Sequence, residues 1–276
     1  MLPFKKIYID SRFRTPDSVS ASNFKVELPY TLHMPENTVF FVTDVCIPNV
    51  WRTIEENVND RIYIRYNTPD SSLPVQQVFR TAKYRVVKLT SQNYTGQTLA
   101  TEIQNQLNSI ADQFISFSAT YDTTQYSITI SCSGSNASFK LYTDAEIASA
   151  GTSIRWISTN NLSVDPNSPM TTNDIIKIVT PMNDSTSVST EFVNLRSINN
   201  VYITSPNLGS FDTLSSFSND IIKKIPVNNG YGYMIVDQNS APNDFLNCSK
   251  QTLRTLEFHL RDGRGRTINL HGMYVT

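Results

Sequence analysis

The sequence predicts a mainly β protein, an antiparallel jelly-roll sandwich carrying a small inserted α+β module. Three observations carry this expectation. Short β-branched and aromatic runs recur along the 276 residues, separated by polar or Pro-containing breaks. Aromatic residues make up 11% of the chain, with 13 Tyr and 14 Phe, which suits strands. Charged residues are only 17%, against about a quarter in average domains, and Ser, Thr and Asn stand in their place.

Taken in order, the first strand signal is Phe4–Asp10 (FKKIYID), followed by Asn23–Leu28, in which Phe24, Val26 and Leu28 share a face by the period of two. Thr38–Pro48 is a long, near-continuous apolar run and reads as one strand covered on both faces. Arg61–Tyr66 alternates Ile62 and Ile64 with charged neighbours, and Tyr84–Leu89 closes the first half. The period then changes. Leu99, Ile103, Leu107 and Ile110, spaced 4, 4 and 3 apart, form one face of an amphipathic helix with Thr95 as N-cap. Strands resume at Phe114–Tyr121, Gln125–Cys132 and Phe139–Tyr142, with Asp122-Thr123-Thr124 as a hairpin loop and a short helix at Asp144–Ala150. Residues 160–174 have linker composition. The last third predicts strands at Ile175–Thr180, Ser197–Thr204, Ile221–Pro226, Gly232–Val236, Thr255–Leu260 and Thr267–Leu270, the final pair joined by a turn at Asp262-Gly263. About ten strands thus lie outside the middle unit, against the roughly eight of a jelly roll. The expected division is residues 1–84 and 167–276 for a discontinuous jelly roll and residues 85–166 for a strand-helix-meander insertion. The loop Asn207–Asn219 mixes aromatics with serines and is a candidate contact loop.

Charge and cysteine content narrow the function. A formal net charge of −1 supplies no global field for nucleic acid or an acidic membrane. The basic pairs Lys5-Lys6 and Lys223-Lys224 read as solvated strand faces. Cys46, Cys132 and Cys248 are sparse, odd in number and far apart, which fits a reducing compartment rather than a disulfide framework. The N-terminus has no apolar signal-peptide core, and no apolar run approaches the ~20 residues of a membrane span. Asn-x-Ser/Thr triplets begin at Asn93, Asn136, Asn161, Asn183 and Asn247, about the number that such a composition produces by chance.

Catalytic constellations are missing from the pattern. His33, His259 and His271 belong to no metal-ligand spacing, and His259 alternates with core residues in LEFHLRD, so it faces away from the core. There is no nucleophile elbow, and Cys46 sits in an apolar run as a packing residue. Gly230-Tyr231-Gly232 and Gly263-Arg264-Gly265 read as turns, with no helix following to receive a phosphate. The adjacent Glu55-Glu56 would point to opposite faces of a strand. Asp17, Asp165 and Asp184 read as turn caps rather than calcium ligands. Tyr94, Tyr121, Tyr126 and Tyr142 are the aromatics a carbohydrate-binding sandwich would expose, although core and turn positions explain them equally. No enzyme, catalytic residue, metal or cofactor is expected.

The opening IYIDSRFR (7–14), SNFKVELP (22–29) and VCIPNVW (45–51) resemble the start of penton and minor capsid proteins of virophages and Polinton-like viruses. NYTGQTLATEIQNQLN (93–108), FSATYDTTQYSITIS (117–131) and FKLYTD (139–144) are similar to a strand-helix-meander module of virion proteins. LRSINNVYITSPNL (195–208), IIKKIPV (221–227) and LEFHLRDGRGRTINLHG (256–272) resemble the closing strands of the same family. The resemblance implies a single jelly roll with an inserted domain, forming a homopentamer at the fivefold vertices of an icosahedral capsid, beside trimers of a double-jelly-roll major capsid protein. It implies a virion location and synthesis in the host cytoplasm or a viral factory. As a separable module that would project from the sandwich, the insertion is a candidate for host attachment through a receptor or glycan. No catalytic residues carry over, and the chain has no Arg-Gly-Asp tripeptide. The other readings are a cement, fibre or tail protein, and a β-sandwich lectin. In a ring, Met1–Lys6 would be an arm reaching beneath a neighbour.

Overall fold

The computed structural model describes residues 5–69, 80–158, 164–208, 220–238 and 245–276. After a 3₁₀ turn at Ser11–Phe13, the strands and helices are β1 (Asn23–His33), β2 (Val39–Phe40), β3 (Val45–Pro48), β4 (Arg61–Pro69), β5 (Arg80–Lys88), α1 (Gly96–Ile110), β6 (Ser116–Asp122), β7 (Ser127–Ser133), β8 (Ser138–Leu141), α2 (Asp144–Ala150), β9 (Ile157–Ser158), α3 (Asn173–Ile176), β10 (Ser187–Ser189), β11 (Asn200–Thr204), β12 (Ile221–Pro226), β13 (Met234–Asp237), β14 (Leu246–Asn247) and β15 (Thr252–Arg261). The protein is mainly β with antiparallel sheets, as the sequence predicts. Two compact units form, one from Met1–Trp51 with Ile198–Thr276, the other from Arg52–Ser197.

The first unit is a long hairpin wrapped on itself. β1 pairs antiparallel with the last strand, β15, with Phe24 opposite Phe258. The next stretch inward pairs with the next stretch back: β2 with β14 and β3 with β13. Inside those, β11 pairs with β12. β11 also pairs with β15, closing a four-stranded sheet of order β1-β15-β11-β12. Nested pairing of first with last is the wiring of a jelly roll. Apolar residues of these three sheets, among them Phe24, Ile47, Val201, Ile225, Ile235, Leu246, Leu256 and Leu260, meet in one core.

The second unit is α+β. β4 and β5 form a hairpin flanked by β8 and by the parallel β9. A second sheet has the order β10-β7-β6. Helix α1 lies against both, placing Leu99, Ile103, Leu107 and Ile110 with Ile62, Ile64, Tyr66, Phe117, Ile128, Ile130 and Phe139. Its start is a capping box: the Thr95 hydroxyl accepts the Thr98 N–H, and the Thr98 hydroxyl accepts the Thr95 N–H. Thr143 and Glu146 repeat the device on α2. On the other face of β4 and β5, Tyr63, Val86, Tyr142 and Ile147 form a smaller cluster closed by Trp156, whose ring stands edge-on to those of Tyr63 and Tyr142 at 5.0 Å.

Several expected elements come out differently. The division of the chain falls at 51/52 and 197/198, not at 84/85 and 166/167. β4 and β5 belong to the second unit, because Ile62, Ile64 and Val87 pack under α1. The expected meander is split: β8 leaves β7 and joins β4, and its place is taken by β10, far along the chain. The stretch 160–174 is no linker where it is described, since Thr171, Thr172 and Asn173 are buried, the Thr172 N–H donates to the Arg61 carbonyl and the Arg61 N–H donates to the Met170 carbonyl. Ile175–Thr180 is not a strand. Ile175, Ile176 and Ile178 are all buried, which a helical turn ending in left-handed Lys177 allows and a two-faced strand does not. The long run 38–48 breaks between β2 and β3, and its N-terminal part is exposed. Thr267–Leu270 keeps only one bridge, Arg261 to Thr267, although Ile268 and Leu270 are buried. Described residues of Phe4–Asp10 form no strand.

Replacing Arg52–Ser197 with a short Gly/Ser linker is expected to leave a cooperatively melting β protein by circular dichroism. Removing residues 85–166 instead strips α1 from Ile62 and Ile64 and is expected to abolish the second unit's transition, leaving only that of the first. Ile103→Ala, at a fully buried position on the inner face of α1, should cost about 2–5 kcal/mol in chemical denaturation.

Candidate functional site: exposed strand faces

The residues that could carry chemistry are placed in structural roles. His259 lies on β15 between Glu257 and Arg261. Arg261 only donates, so the imidazole Nδ1 accepts from its guanidinium at 2.9 Å and Nε2–H donates to Glu257 Oε1 at 2.9 Å. Both ring nitrogens are engaged, and His259 is partly buried rather than fully solvent-facing. His33 meets Thr252, and His271 lies in the turn after Leu270. Glu55 and Glu56 sit in a turn, not a strand, Glu55 accepting the Arg52 N–H and Glu56 pairing with Lys88 at 2.7 Å. Asp17 pairs with Lys25, Asp165 caps Asn167 and Asp184 pairs with Arg65. Lys223 is buried and pairs with Asp237 at 3.3 Å, so it is no solvated strand face. Burial pushes the Cys132 and Cys248 thiols up, away from thiolate chemistry, while Cys46 is half-buried on β3. Among the described residues no group of three or more His, Cys, Asp or Glu is placed to hold a metal. No helix there is long and apolar enough to cross a membrane. Most of the expected contact loop Asn207–Asn219 lies outside the described residues.

An open depression on the four-stranded sheet is lined by Thr15, Asp17, Lys25, Glu27, Asn207, Thr255 and Glu257, and Lys25 answers Asp17 within it. It contains no pairing of a nucleophile with a base.

Two surfaces stand out instead. The first is on the second unit. β6 turns Phe117 and Ala119 inward and Ser116, Ser118 and Thr120 outward, and β7 does the same with Thr129, Ser131 and Ser133. With Ser187 and Ser189 of β10 the outer face becomes a grid of hydroxyls. Ser116 bonds Ser133 at 2.7 Å, Ser131 bonds Ser187 at 2.8 Å and Thr129 bonds Ser189 at 2.8 Å. At one end of this sheet, Tyr126 and Phe192 are 52% and 60% exposed with ring centroids 5.7 Å apart. Tyr126 is held at φ 54°, a conformation that is uncommon for a bulky residue. The Asp122 carboxylate accepts the N–H groups of Thr124 and Gln125, and the Tyr126 carbonyl accepts the Val193 N–H. Of the four tyrosines named from sequence, Tyr94 and Tyr142 are core residues whose phenols burial pushes up to about 12, Tyr121 is partly buried, and only Tyr126 is exposed. Sequence reasoning missed Phe192.

The second surface is on the first unit, where Val39, Phe41, Met234, Val236 and Phe245 are exposed on or beside β2, β13 and β14. Phe41 and Phe245 stack edge-on at 5.4 Å. Tyr231 and Tyr233 continue this apolar surface into the preceding turn.

The fold defines a class: a mainly β protein with jelly-roll wiring and an α+β unit spliced into it. No family model matches the chain, and no curated protein matches it. Among solved structures, the mavirus penton protein is similar over 90% of this chain and 87% of its own, with 10% identity and a TM-score of 0.44. A backbone likeness of that degree assigns neither a family nor an activity.

Burial works to raise the Asp184 carboxyl, but hydrogen bonds from Arg65 and Asn67 and the Arg65 charge more than offset it, holding it below its ordinary 3.8. A carboxyl depressed by folding stabilises above its unfolded pKa and loses that stabilisation as pH falls through the folded value. Asp184→Asn should therefore lower the melting temperature at neutral pH and flatten its decline below about pH 4.

Proposed function

We propose that the chain is a structural virion protein, the pentameric vertex capsomer of an icosahedral capsid, and not an enzyme. The observation that carries this is the wiring of the first unit: four antiparallel pairs nested first-with-last, with a separate α+β unit spliced between β3 and β11. The ordered sequence resemblance to penton proteins implies that plan, a single jelly roll with an insertion. The exposed apolar strands of the first unit supply what a ring needs. A fivefold ring joins two different faces of each subunit in a contact that closes, and apolar strand edges left open in a monomer are covered in an assembly. The outer neighbours in this reading are trimers of a double-jelly-roll major capsid protein, and the location is the capsid vertex.

The second unit serves host attachment in this reading. The hydroxyl grid beside Tyr126 and Phe192 also favours a second one, a lectin that binds a neutral glycan by stacking and hydroxyl hydrogen bonds. Oligomer mass separates the two. Light scattering on the purified protein should give five times the 31.2 kDa chain mass, or fivefold particles by electron microscopy. A stable monomer that never joins a shell overturns the vertex reading, and a monomer that retains neutral oligosaccharides favours the lectin.

A further inference from the structure

Residues 5–10 are patterned as a strand, with Ile7 and Ile9 alternating with Lys6 and Tyr8, yet they pair with no strand among the described residues. Tyr8 is 84% exposed. β13 is the matching vacancy. Its residues Ile235 and Asp237, like Tyr233 just before it, direct their backbone groups at β3, as the Asn49 N–H to Tyr233 carbonyl bond shows. Met234 and Val236 therefore direct theirs outward. Their side chains are each 44% exposed, and among the described residues the one partner of those outward groups is Asn229 Nδ2, which donates to the Met234 carbonyl. Unpaired edges of this kind are templates for another strand.

We propose that residues 5–10 of one copy add as an antiparallel strand to the β13 edge of a second copy. This rests on the self-assembly proposed above and names the contact that would make it. Connectivity favours the second copy over the chain's own edge. Cys46 exchanges two backbone bonds with Thr276, on the side of β3 away from β13. Val275, facing the other way, accepts the Ser11 N–H and donates to the Ser11 hydroxyl. The root of the arm thus lies on one side of the β3–β13 pair and the open edge on the other. Crossing from Ser11 over the C-terminal segment, β3 and β13 takes about four strand spacings, roughly 19 Å. That consumes nearly the whole ~20 Å reach of six extended residues and leaves nothing to pair. Lys5 lies instead over the Tyr30 ring on β1, 3.8 Å from its centroid. An arm on one side and an acceptor on the other make a head-to-tail contact, the kind that closes rings.

Antiparallel register suits the chemistry. Opposing residues 5–10 to residues 237–232 sets Ile7 beside the buried Ile235 and Tyr8 beside the exposed Met234. It brings Lys5 and Lys6 to the end that carries Asp237 and the exposed Asp44, and moves Asp10 away from both.

The test is a disulfide trap in a Cys46→Ser background, combining Tyr8→Cys with Met234→Cys. Directly opposed residues of a hydrogen-bonded pair lie about 5.5 Å apart between Cα atoms, within disulfide range. Mild oxidation should give a ladder of covalently linked chains on a non-reducing gel, ending at the closed oligomer, while each single variant runs as one chain. Tyr8→Pro, at an exposed position, should leave the far-ultraviolet spectrum unchanged and weaken assembly at least tenfold. Links formed only within one chain, or an unchanged assembly in Tyr8→Pro, overturn the arm. If the pentamer mass persists in those experiments, the vertex reading survives the arm's failure, whereas a monomeric unmodified protein removes both.

Discussion

The first unit depends on one constraint: its first strand must find its last. Phe24 lies opposite Phe258 and Val26 opposite Leu256, so the four-stranded sheet is complete only when the two ends of the chain have met. Each nested pair inside it, β3 with β13 and β11 with β12, shortens the loop that the next must close. A whole unit is spliced into that path between Trp51 and Ile198. If the second unit folds first, the two ends of its segment are held at defined positions, and the closure the jelly roll must make is shorter than the sequence separation suggests. The second unit has its own core around α1, built almost wholly from residues between Ile54 and Val193, which is what an independently folding insertion needs.

Much of this was legible in sequence, and the failures have particular causes. α1 was readable because Leu99, Ile103, Leu107 and Ile110 keep one period and Thr95 caps it. β12 was readable because a polar or loop stretch bounds it on each side. Partner choice was not readable. Phe139–Leu141 has the same texture whether it pairs with β7 or with β4, and β10 is three residues, Ser-Val-Ser, too short to announce itself. Ile175, Ile176 and Ile178 misled because a buried helical turn and a strand are equally apolar. The division of the chain was misplaced because Arg61–Tyr66 looks like any sandwich strand, and only Tyr63 and Tyr66, buried on opposite faces, mark it as the centre of a covered sheet.

The candidate surfaces were half visible. The alternation of Ser and Thr with Phe117, Ile128 and Ile130 announces a polar outer face, but not that β10 extends it. Tyr126 was in view as a tyrosine, and its exposure follows from the turn that Asp122 builds, which displaces it from the strand period. Phe192 had no local pattern, because its position is set by a backbone bond from Val193 to Tyr126. On the first unit, the unpaired pattern at residues 5–10 was readable as a strand and could not be read as a strand without a partner.

The hydroxyl grid has a consequence for how the chain can vary. Its outward side chains bear on one another and on water, while β6 and β7 are held by Phe117, Ala119, Ile128 and Ile130 beneath. Exchanges among Ser, Thr and Asn there fall in the range of ordinary surface substitutions, within about ±0.5 kcal/mol. The four-stranded sheet has no such freedom where Glu257, His259 and Arg261 interlock on β15. The molecule therefore separates a surface where sequence can drift from a scaffold where it cannot, and change in what the second unit meets can proceed without disturbing the strands that close the jelly roll.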